Sequence, residues 1–431
     1  MTIKRLFLLC CVLCLTNCYG CSVKNSTLVS SSCFSESLES IDAAFSFSSN
    51  YSSKVFDSDD FIFSFSSSCF ISQSSSGCNQ NNESEMPLFK CDCCNRDVFD
   101  KNYYSPHICN ECNNKLCETD LLNYLFITDL HIDSDEQMEK VNLLINDVVD
   151  YVNESDLIDF LCIGGDLTTL YFDKKTDYYL WYQQILFPLS LCNKPVLILN
   201  GNHDDNSNPG WTDSNSIQII SPNEYIDHVQ KTFINVEVKY DSENAHSKYY
   251  YYDIEKNNTK YRIVCLDSCD RPDSSNNGYY WGYSFQQIQW LLSIAPTNHE
   301  HKLVILSHMS VEEKYNACQK EVAYSKEMTE AVKRIYSSGD VLIHSFGHLH
   351  LNLFEKSNYG LVYSCTPTLF SGGLDSRFDG QTVYSQINDD SIGVETVDKT
   401  KIDYSYNLFS LGNGFAIQYS LGAGSDKALR F

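Results

Sequence analysis

Histidine, aspartate and asparagine side chains recur directly after short apolar runs along this chain. The run LNYLFIT is followed by Asp129 and His131, and the run DFLCIGG is followed by Asp166. The residues in such positions are Asp129, His131, Asp166, Asn202, His203, Asp204, His308, His348 and His350. One Asp-x-His sequence alone is typical of a solvated loop. Five successive runs that end in imidazole, carboxylate or amide groups predict a shared metal site.

A metal site of this composition is suited to phosphate chemistry. Two metal ions about 3.5 Å apart can hold a phosphoryl group and deprotonate the water between them. One carboxylate must then contact both ions, while neutral imidazoles keep the site cationic toward phosphate. Gly164, Gly165 and Gly201 stand beside the proposed ligands and allow tight turns there. We predict two divalent or transition-metal ions, and the ligand types suit zinc, manganese and iron equally.

The elements that must position these side chains alternate between strands and helices from Leu121 onward. In DEQMEKVNLLINDVVDYV, the apolar residues Met138, Val141, Leu144 and Val148 are three or four positions apart, as on one face of a helix. Short runs rich in β-branched residues, such as KPVLILN, YRIVCLD and KLVILS, alternate with helical stretches. This alternation predicts layered α/β packing, in which site residues gather where strands end.

Past residue 350 the pattern changes. The segments LNLFEKSNYGLVYSC, TVYSQINDDSIGVETVD and YNLFSLGNGFAIQYSL each place turn residues between strand-like halves. They predict antiparallel hairpins that complete a second sheet, so the expected fold is a β-sheet sandwich with outer helices. We assign residues 121–370 to the catalytic domain and residues 371–431 to C-terminal hairpins that complete it.

The first 120 residues resemble a leader followed by two segments of biased composition. Residues 1–20 place Lys4 and Arg5 before an apolar run too short to span a bilayer, which predicts a cleaved secretory signal peptide. Residues 21–88 are rich in serine and predict a linker. Residues 89–120 contain two C-x-x-C pairs, which are compatible with local disulfides or with structural zinc. The cysteines of this segment are Cys91, Cys93, Cys94, Cys109, Cys112 and Cys117.

Composition limits the partners and the compartment. The net charge of -25, from 56 acidic and 31 basic residues, argues against nucleic acid as a partner. Of 20 cysteines, four lie in residues 1–20, and the even number that remains favours disulfides in an oxidising compartment. Glycosylation sequons begin at Asn25, Asn50, Asn82, Asn153 and Asn257. We therefore expect a secreted or lumenal glycoprotein without a transmembrane segment in the mature chain, and the oligomeric state stays open.

The motifs D-x-H, G-D, G-N-H-D, a single histidine and G-H-x-H occur in that order over residues 121–370, and they resemble those of the calcineurin-like metallophosphoesterases. This resemblance implies a four-layer sandwich of two mixed β-sheets flanked by helices. It also implies phosphoester hydrolysis by a hydroxide that bridges two metal ions. One ion would be bound by Asp129, His131, Asp166 and His350. The other would be bound by Asp166, Asn202, His308 and His348. In the family, the residue matching His203 faces the substrate and the residue matching Asp204 orients it.

Several branches of this family remain compatible with the sequence. Purple acid phosphatases have a tyrosine at the position of Thr169 and lack the histidine at His131, so no ferric-tyrosinate centre is expected. ITDLHI, GGDLT and LNGNHDD resemble the cyclic-nucleotide and glycerophosphodiester phosphodiesterases, whereas the leader and the cysteine-rich segment resemble the acid sphingomyelinases. Met309 and Ser310 follow His308 where both branches often have proline. A small-molecule or lipid phosphodiester is the expected substrate. The alternatives are a phosphomonoesterase and a non-catalytic surface interaction protein.

Aromatic residues and one further histidine complete the predictions. The helical spacing of YYLWYQQ predicts core packing for its tyrosines. The segment GYYWGYS, residues 278–284, is a candidate wall of the substrate pocket. His344 lies on the strand before His348 and is expected to have no ligand role.

Overall fold

The computed structural model describes residues 89–90, 97–98, 121–206, 218–270, 281–295, 299–315, 322–369, 394–395, 405–412, 414–421 and 427–430. All but a few of these residues follow Leu121. The predicted signal peptide and serine-rich linker, and nearly all of the cysteine-rich segment, lie outside the described residues. Of the TVYSQINDDSIGVETVD hairpin, only Val394–Glu395 is described.

Strands and helices alternate over the first half of the catalytic region, and strands predominate toward the C-terminus. The strands are β1 Phe89–Lys90, β2 Asp97–Val98, β3 Leu122–Ile127, β4 Phe160–Ile163, β5 Val196–Ile198, β6 Lys239–Tyr240, β7 Tyr250–Lys256, β8 Thr259–Cys265, β9 Trp281–Gly282, β10 His301–Leu306, β11 Val322–Ala323, β12 Val341–Phe346, β13 Asn352–Lys356, β14 Val362–Cys365, β15 Val394–Glu395, β16 Tyr406–Gly412, β17 Phe415–Leu421 and β18 Lys427–Arg430. The α-helices are α1 Asp135–Glu154, α2 Lys175–Leu186, α3 Pro222–Tyr225, α4 Lys231–Phe233, α5 Phe285–Ile294 and α6 Ser325–Tyr336. A π-helical turn, Ile226–Gln230, joins α3 to α4.

Two large mixed sheets carry the site. One has six strands in the order β18-β17-β16-β3-β4-β5, and the other has eight in the order β15-β13-β14-β12-β10-β8-β7-β6. Strands β3, β4 and β5 are parallel, as are β8, β10, β12 and β14. Because α1 and α2 provide the crossovers between the parallel strands β3, β4 and β5, the carboxyl ends of these strands lie at one edge.

Three apolar cores separate the layers. Phe126 and Phe160 of the six-stranded sheet and Val304 and Leu306 of the eight-stranded sheet belong to one buried cluster between the sheets. A second cluster lies beneath α1 and α2, and a third lies beneath α5 and α6. The prediction of a four-layer α/β sandwich of two mixed sheets flanked by helices is therefore confirmed.

Helix α1 shows how the sequence forms an outer layer. Ser134 caps its first turn by accepting a hydrogen bond from the backbone N–H of Gln137. Met138, Val141 and Val148 are buried beneath it, as their spacing predicts, while Leu144 packs at the margin of the same core. The opposite face of the helix is exposed and mostly polar, with Leu143 as an apolar exception.

The C-terminal hairpins are divided between the two sheets. Strands β13 and β14 form a hairpin in the eight-stranded sheet. Strands β16 and β17 instead pair beside β3, so they extend the sheet that begins the domain rather than the second one. Stacking of Phe409 on Tyr124, with ring centroids 4.9 Å apart, accompanies this pairing.

The described cysteines differ from the expected disulfides. Five cysteines are free, buried thiols that pack in the apolar clusters as small hydrophobic residues: Cys162, Cys192, Cys265, Cys269 and Cys365. The remaining cysteines lie outside the described residues. Among the described helices, none is both long and apolar enough to cross a membrane.

Candidate metal centre

The five loops with the predicted motifs meet at one edge of the sandwich. They follow β3, β4 and β5 in the six-stranded sheet, and β10 and β12 in the eight-stranded sheet. Backbone hydrogen bonds join them: Asp129 N–H donates to the carbonyl of Gly165 at 3.0 Å, and His131 N–H donates to that of Asp166 at 3.0 Å. Gly347 N–H donates to the carbonyl of His308 at 2.9 Å. The loops are therefore held in register by the main chain.

One group of ligand atoms is formed by Asp129, His131 and His350. The Nε2 atoms of His131 and His350 are 2.9 Å apart. Asp129 Oδ1 is 3.2 Å from Nε2 of His350 and 3.5 Å from Nε2 of His131. All three side chains are buried, and their ligand atoms are close enough to share one ion.

A second group is formed by Asp166, Asn202, His308 and His348. His308 Nε2 lies 3.1 Å from Oδ2 of Asp166 and 3.0 Å from Oδ1 of Asn202. The ligand atoms of Asp166, His308 and His348 lie within 4.8 Å of one another. The structure therefore brings together all seven residues that the sequence nominates as ligands.

Asp166 lies between the two groups. Its Oδ2 atom is 3.1 Å from Nε2 of His308 in one group and 3.8 Å from Nε2 of His131 in the other. Its Oδ1 atom accepts a hydrogen bond of 2.9 Å from the backbone N–H of His203, which fixes the orientation of the carboxylate. A single buried carboxylate is thus in reach of two neighbouring cation positions.

The groups around the ligands direct their lone pairs inward. His308 Nδ1 lies 2.9 Å from the carbonyl of Gly164 and donates to it, because a carbonyl only accepts; Nε2 is thereby left as the ligand atom. Asp129 Oδ2 accepts from Thr128 Oγ1 at 2.8 Å and from the backbone N–H of His348 at 2.9 Å, so Oδ1 faces the imidazoles. Converging lone pairs in a buried site fit cations, and the chemistry of this donor set suits two divalent ions.

The electrostatics agree with a cation site. Burial raises the pKa values of Asp129 and Asp166, but the neighbouring imidazoles outweigh it and hold both below their ordinary range. For Asp129 the main opposing contribution comes from His350, and for Asp166 it comes from His308. Both carboxylates are therefore ionised at neutral pH.

Five of the ligands have left-handed backbone conformations. The φ angles are 55° at Asp129, 47° at His131, 54° at Asp166, 66° at His348 and 54° at His350. Such angles are uncommon outside glycine and cost free energy, so they persist where the surrounding fold enforces them. Here they turn successive side chains of each loop toward the same centre.

Close approach explains one glycine at this edge. A Cβ atom at Gly201 would overlap the backbone nitrogen and Oδ1 of Asp166. Glycine at this position therefore lets the loop after β5 lie against the carboxylate that joins the two groups.

His203 lies on the open side of the centre. Its side chain is 29% exposed, its Nε2 atom is 4.0 Å from Oδ2 of Asp166, and its ring meets that of His131 edge-on. Burial, together with repulsion from His131, His308 and His348, lowers its pKa against the attraction of Asp166. The imidazole is thus partly exposed, and it lies within ligand range of His131 and Asp166.

Asp204 does not have the expected contact with His203. Its Oδ2 atom accepts from the backbone N–H groups of Asp166 at 2.9 Å and Gly201 at 2.7 Å. Its Oδ1 atom accepts from Leu167 N–H at 2.9 Å and from the hydroxyl of Tyr182 at 2.5 Å. Asp204 thus binds the loops after β4 and β5 together, and the expectation that it orients the imidazole is wrong for this structure.

Several residues of the centre have no signal in the motifs. Thr368 donates to the carbonyl of Asp129 at 2.6 Å, and the Tyr171 hydroxyl lies 3.5 Å from Nδ1 of His203. Tyr178 and Tyr182 of YYLWYQQ are buried in the core as predicted, and Tyr179 packs at its margin. Tyr182 also donates a hydrogen bond to Asp204. Of the GYYWGYS segment, Trp281 has its ring 6.4 Å from that of His348, while residues 278–280 lie outside the described residues.

The two-sheet sandwich and the candidate metal centre are the features expected of the metallophosphoesterase class. The sequence profile described as calcineurin-like phosphoesterase matches residues 122–352, more than half of the chain. The chain belongs to this family of phosphoesterases. No curated protein sequence matches the chain.

Three solved structures are similar to this chain at low sequence identity. A dimetal phosphatase from Danio rerio is 14% identical with a TM-score of 0.47, and the match covers 72% of this chain and 99% of that one. GAP50 of Plasmodium, described as the anchor in the inner membrane complex, is 10% identical with a TM-score of 0.46, covering 72% and 89%. A putative 5'-nucleotidase from Staphylococcus aureus is 14% identical with a TM-score of 0.39, covering 72% and 54%.

Proposed function

We propose that this protein is a secreted dinuclear-metal phosphoesterase that hydrolyses phosphodiesters in preference to phosphomonoesters. The observation that carries the proposal is the position of Asp166, whose Oδ2 atom is 3.1 Å from His308 Nε2 and 3.8 Å from His131 Nε2. A carboxylate shared between two ligand groups is the arrangement that a pair of ions about 3.5–4 Å apart requires.

Each residue then has a definite task. Asp129, His131 and His350 would hold one ion, Asn202, His308 and His348 would hold the other, and Asp166 would contact both. Two such ions, when bound, would polarise the phosphoryl group and lower the pKa of a coordinated water. His203 presents its imidazole from the open side, where Nε2 can donate a hydrogen bond to a phosphoryl or leaving oxygen.

The charges around the centre favour a diester. The groups that lower the pKa values of Asp129 and Asp166 are imidazoles, which are neutral once they bind a metal ion. A phosphodiester carries one negative charge at neutral pH, whereas a monoester carries up to two and gains more from additional cationic side chains. Lys248, a buried cation before β7, forms an ion pair with Asp267 at 3.3 Å, so its charge is already compensated within the protein.

Secretion is proposed from the sequence. Residues 1–20 have the composition of a signal peptide, and N-glycosylation sequons occur before and within the catalytic region. The donor set suits zinc, manganese and iron alike, and metal analysis of the purified protein distinguishes among them.

The test is a substrate panel with metal analysis in the same sample. The full chain is expressed through a secretory route, its metal content is measured, and turnover is compared on bis-p-nitrophenyl phosphate, p-nitrophenyl phosphate, cyclic nucleotides and a phosphocholine ester. About two ions per chain, hydrolysis of the diester above the monoester, and loss of activity on chelation are expected. Secretion predicts an N-terminus near residue 21.

Each contrary result identifies another function. Faster turnover of the monoester would make the protein a phosphomonoesterase, and the phosphocholine ester as best substrate would indicate a phospholipid phosphodiesterase. A metal-replete chain that hydrolyses none of the esters would support a non-catalytic interaction protein. Asp166→Asn, which removes the charge of the shared carboxylate, should abolish turnover. Asp173→Asn, which changes an exposed carboxylate of the same loop after β4, is its matched control.

A further inference from the structure

We propose that Tyr171 is the positioning residue of His203, and that its hydroxyl donates to Nδ1 so that the imidazole presents Nε2–H to the substrate. The inference rests on the proposed function and adds a residue outside the metallophosphoesterase motifs. Its basis is the distance of 3.5 Å between the Tyr171 hydroxyl and His203 Nδ1.

Asp204 cannot take this role in this structure. Its two carboxylate oxygens already accept four hydrogen bonds, from three backbone N–H groups and from the Tyr182 hydroxyl. The phenol of Tyr171 is the side chain that the structure places against Nδ1 of His203, with the two ring centroids 6.5 Å apart.

The backbone on both sides of Tyr171 is anchored. On one side, Leu170 N–H donates to Thr168 Oγ1 at 3.1 Å. On the other side, Phe172 N–H donates to Asn206 Oδ1 at 2.8 Å, and the Asn206 amide returns a bond of 2.9 Å to the Phe172 carbonyl. Asn206 lies three positions after His203, so this pair of bonds ties the tyrosine loop to the histidine loop. Tyr171 is thus held at a fixed place relative to the imidazole.

The chemical consequence depends on what the partner of Nδ1 is. A carboxylate would accept a hydrogen bond from Nδ1–H, and Nε2 of the neutral ring would then have no hydrogen to donate; a phenol can instead donate to Nδ1. Because an ordinary phenol has a pKa of about 10, Tyr171 carries its proton at neutral pH. A neutral imidazole that accepts at Nδ1 has its hydrogen on Nε2. That atom faces the centre, 4.0 Å from Oδ2 of Asp166, where it can donate to an oxygen of the phosphoester.

The kinetic test compares Tyr171→Phe with wild type and with Tyr179→Phe. Tyr179 is the matched control because its ring stacks on His228 away from the centre. With an alkyl phosphodiester, Tyr171→Phe should lower kcat about two- to tenfold, with KM and metal content near wild type. In a His203→Ala background the same substitution should have little further effect on kcat, because the proposed role of Tyr171 acts through the imidazole.

A spectroscopic test is independent of turnover. Nitrogen-15 NMR of the histidine side chains in the full, zinc-loaded chain reports the protonation of each ring nitrogen, and the His203→Ala spectrum assigns the signal. In wild type, Nδ1 of His203 should be unprotonated and hydrogen-bonded, and its shift should move in Tyr171→Phe but not in Tyr179→Phe.

The outcomes separate this inference from the proposed function. A protonated Nδ1 in wild type, or an undiminished Tyr171→Phe loss in the His203→Ala background, would overturn the role of Tyr171. A wild-type protein that hydrolyses none of the esters would overturn the proposed function, and the NMR shifts would then decide the role of Tyr171 on their own.

Discussion

Replacing Asp204 by asparagine tests whether this residue builds the site or assists the chemistry. The side chain is fully buried, and its two oxygens accept four hydrogen bonds from the loops after β4 and β5 and from α2. Three of the donors lie 22 to 38 positions away, in the loop after β4 and in α2, and the fourth is the nearby Gly201. The carboxylate therefore joins these segments and holds Asp166 in place. We expect Asp204→Asn to reduce stability and metal content together.

The size of the effect follows from the four donors. If the amide nitrogen replaces Oδ2, it faces the N–H groups of Asp166 and Gly201, and both lose their acceptor. If it replaces Oδ1, the Tyr182 hydroxyl can turn and accept, and only Leu167 N–H is left without a partner. The second orientation is favoured, and one buried unsatisfied donor plus the loss of a charged acceptor lowers the free energy of unfolding by about 2–4 kcal/mol.

Urea denaturation, metal analysis and turnover on activated and unactivated diesters measure the three consequences separately. Tyr182→Phe should cost about 1 kcal/mol, because it removes one of the four donors and leaves the carboxylate in place. Asp173→Asn, at an exposed position, should change little. Wild-type stability and metal content in Asp204→Asn, with activity lost selectively on poor leaving groups, would refute this role and assign Asp204 to the imidazole of His203.

Four further predictions concern the centre and its surroundings. Asp166→Asn should deplete both ions and abolish turnover, whereas His344→Ala should retain metal; equal losses in metal analysis would contradict the shared position of Asp166. His203→Ala should keep near-normal metal content but lower turnover by about two to four orders of magnitude, most for poor leaving groups, and metal depletion would make it a ligand. Burial lowers the pKa of His344 to about 3, so the unfolded chain binds a proton below about pH 6.5 that the folded chain does not. The free energy of unfolding should then fall by up to about 1.4 kcal/mol per unit as the pH drops from about 6.5, and denaturation of His344→Gln should show a shallower fall. In the secreted protein, Asn257 in the exposed β7–β8 turn should be glycosylated and Asn153, whose amide donates to the Leu191 carbonyl at 3.0 Å, should not; peptide mapping that finds the reverse would refute this.

The sequence predicts the fold class and the ligand set because both depend on local pattern. Strand β4 is buried at all four positions, as expected of a parallel strand covered on both faces. Once β3, β4 and β5 are recognised as parallel, Asp129, Asp166 and Asn202 must share one edge of the sheet. The contact of this edge with the ends of β10 and β12 depends on how the two sheets pack against each other. The sequence indicates this contact only through the order of the motifs and the family resemblance.

Contacts between distant residues are what the sequence could not supply. Adjacency of His203 and Asp204 suggested that one side chain serves the other, but consecutive side chains leave a turn in different directions and Asp204 points back toward Gly201 and Leu167. The even number of cysteines suggested disulfides, although a buried thiol such as Cys162 also serves as a small core residue. Tyr171 carries no motif, because only the fold brings it to His203.

The conformations of the ligands show why this edge of the protein needs so many supporting contacts. A left-handed φ such as 55° at Asp129 or 66° at His348 costs about 1–2 kcal/mol per residue, and a metal ion offsets none of this cost until it binds. The fold must therefore hold these angles by itself: Thr368 fixes the carbonyl of Asp129, and the His348 N–H is bound by the Asp129 carboxylate. Because the same bonds set the ligand positions and offset the strain, substitutions that weaken them reduce metal affinity and folding stability together. A side chain such as that of His203, which lies outside this network of supports, can change turnover without changing either.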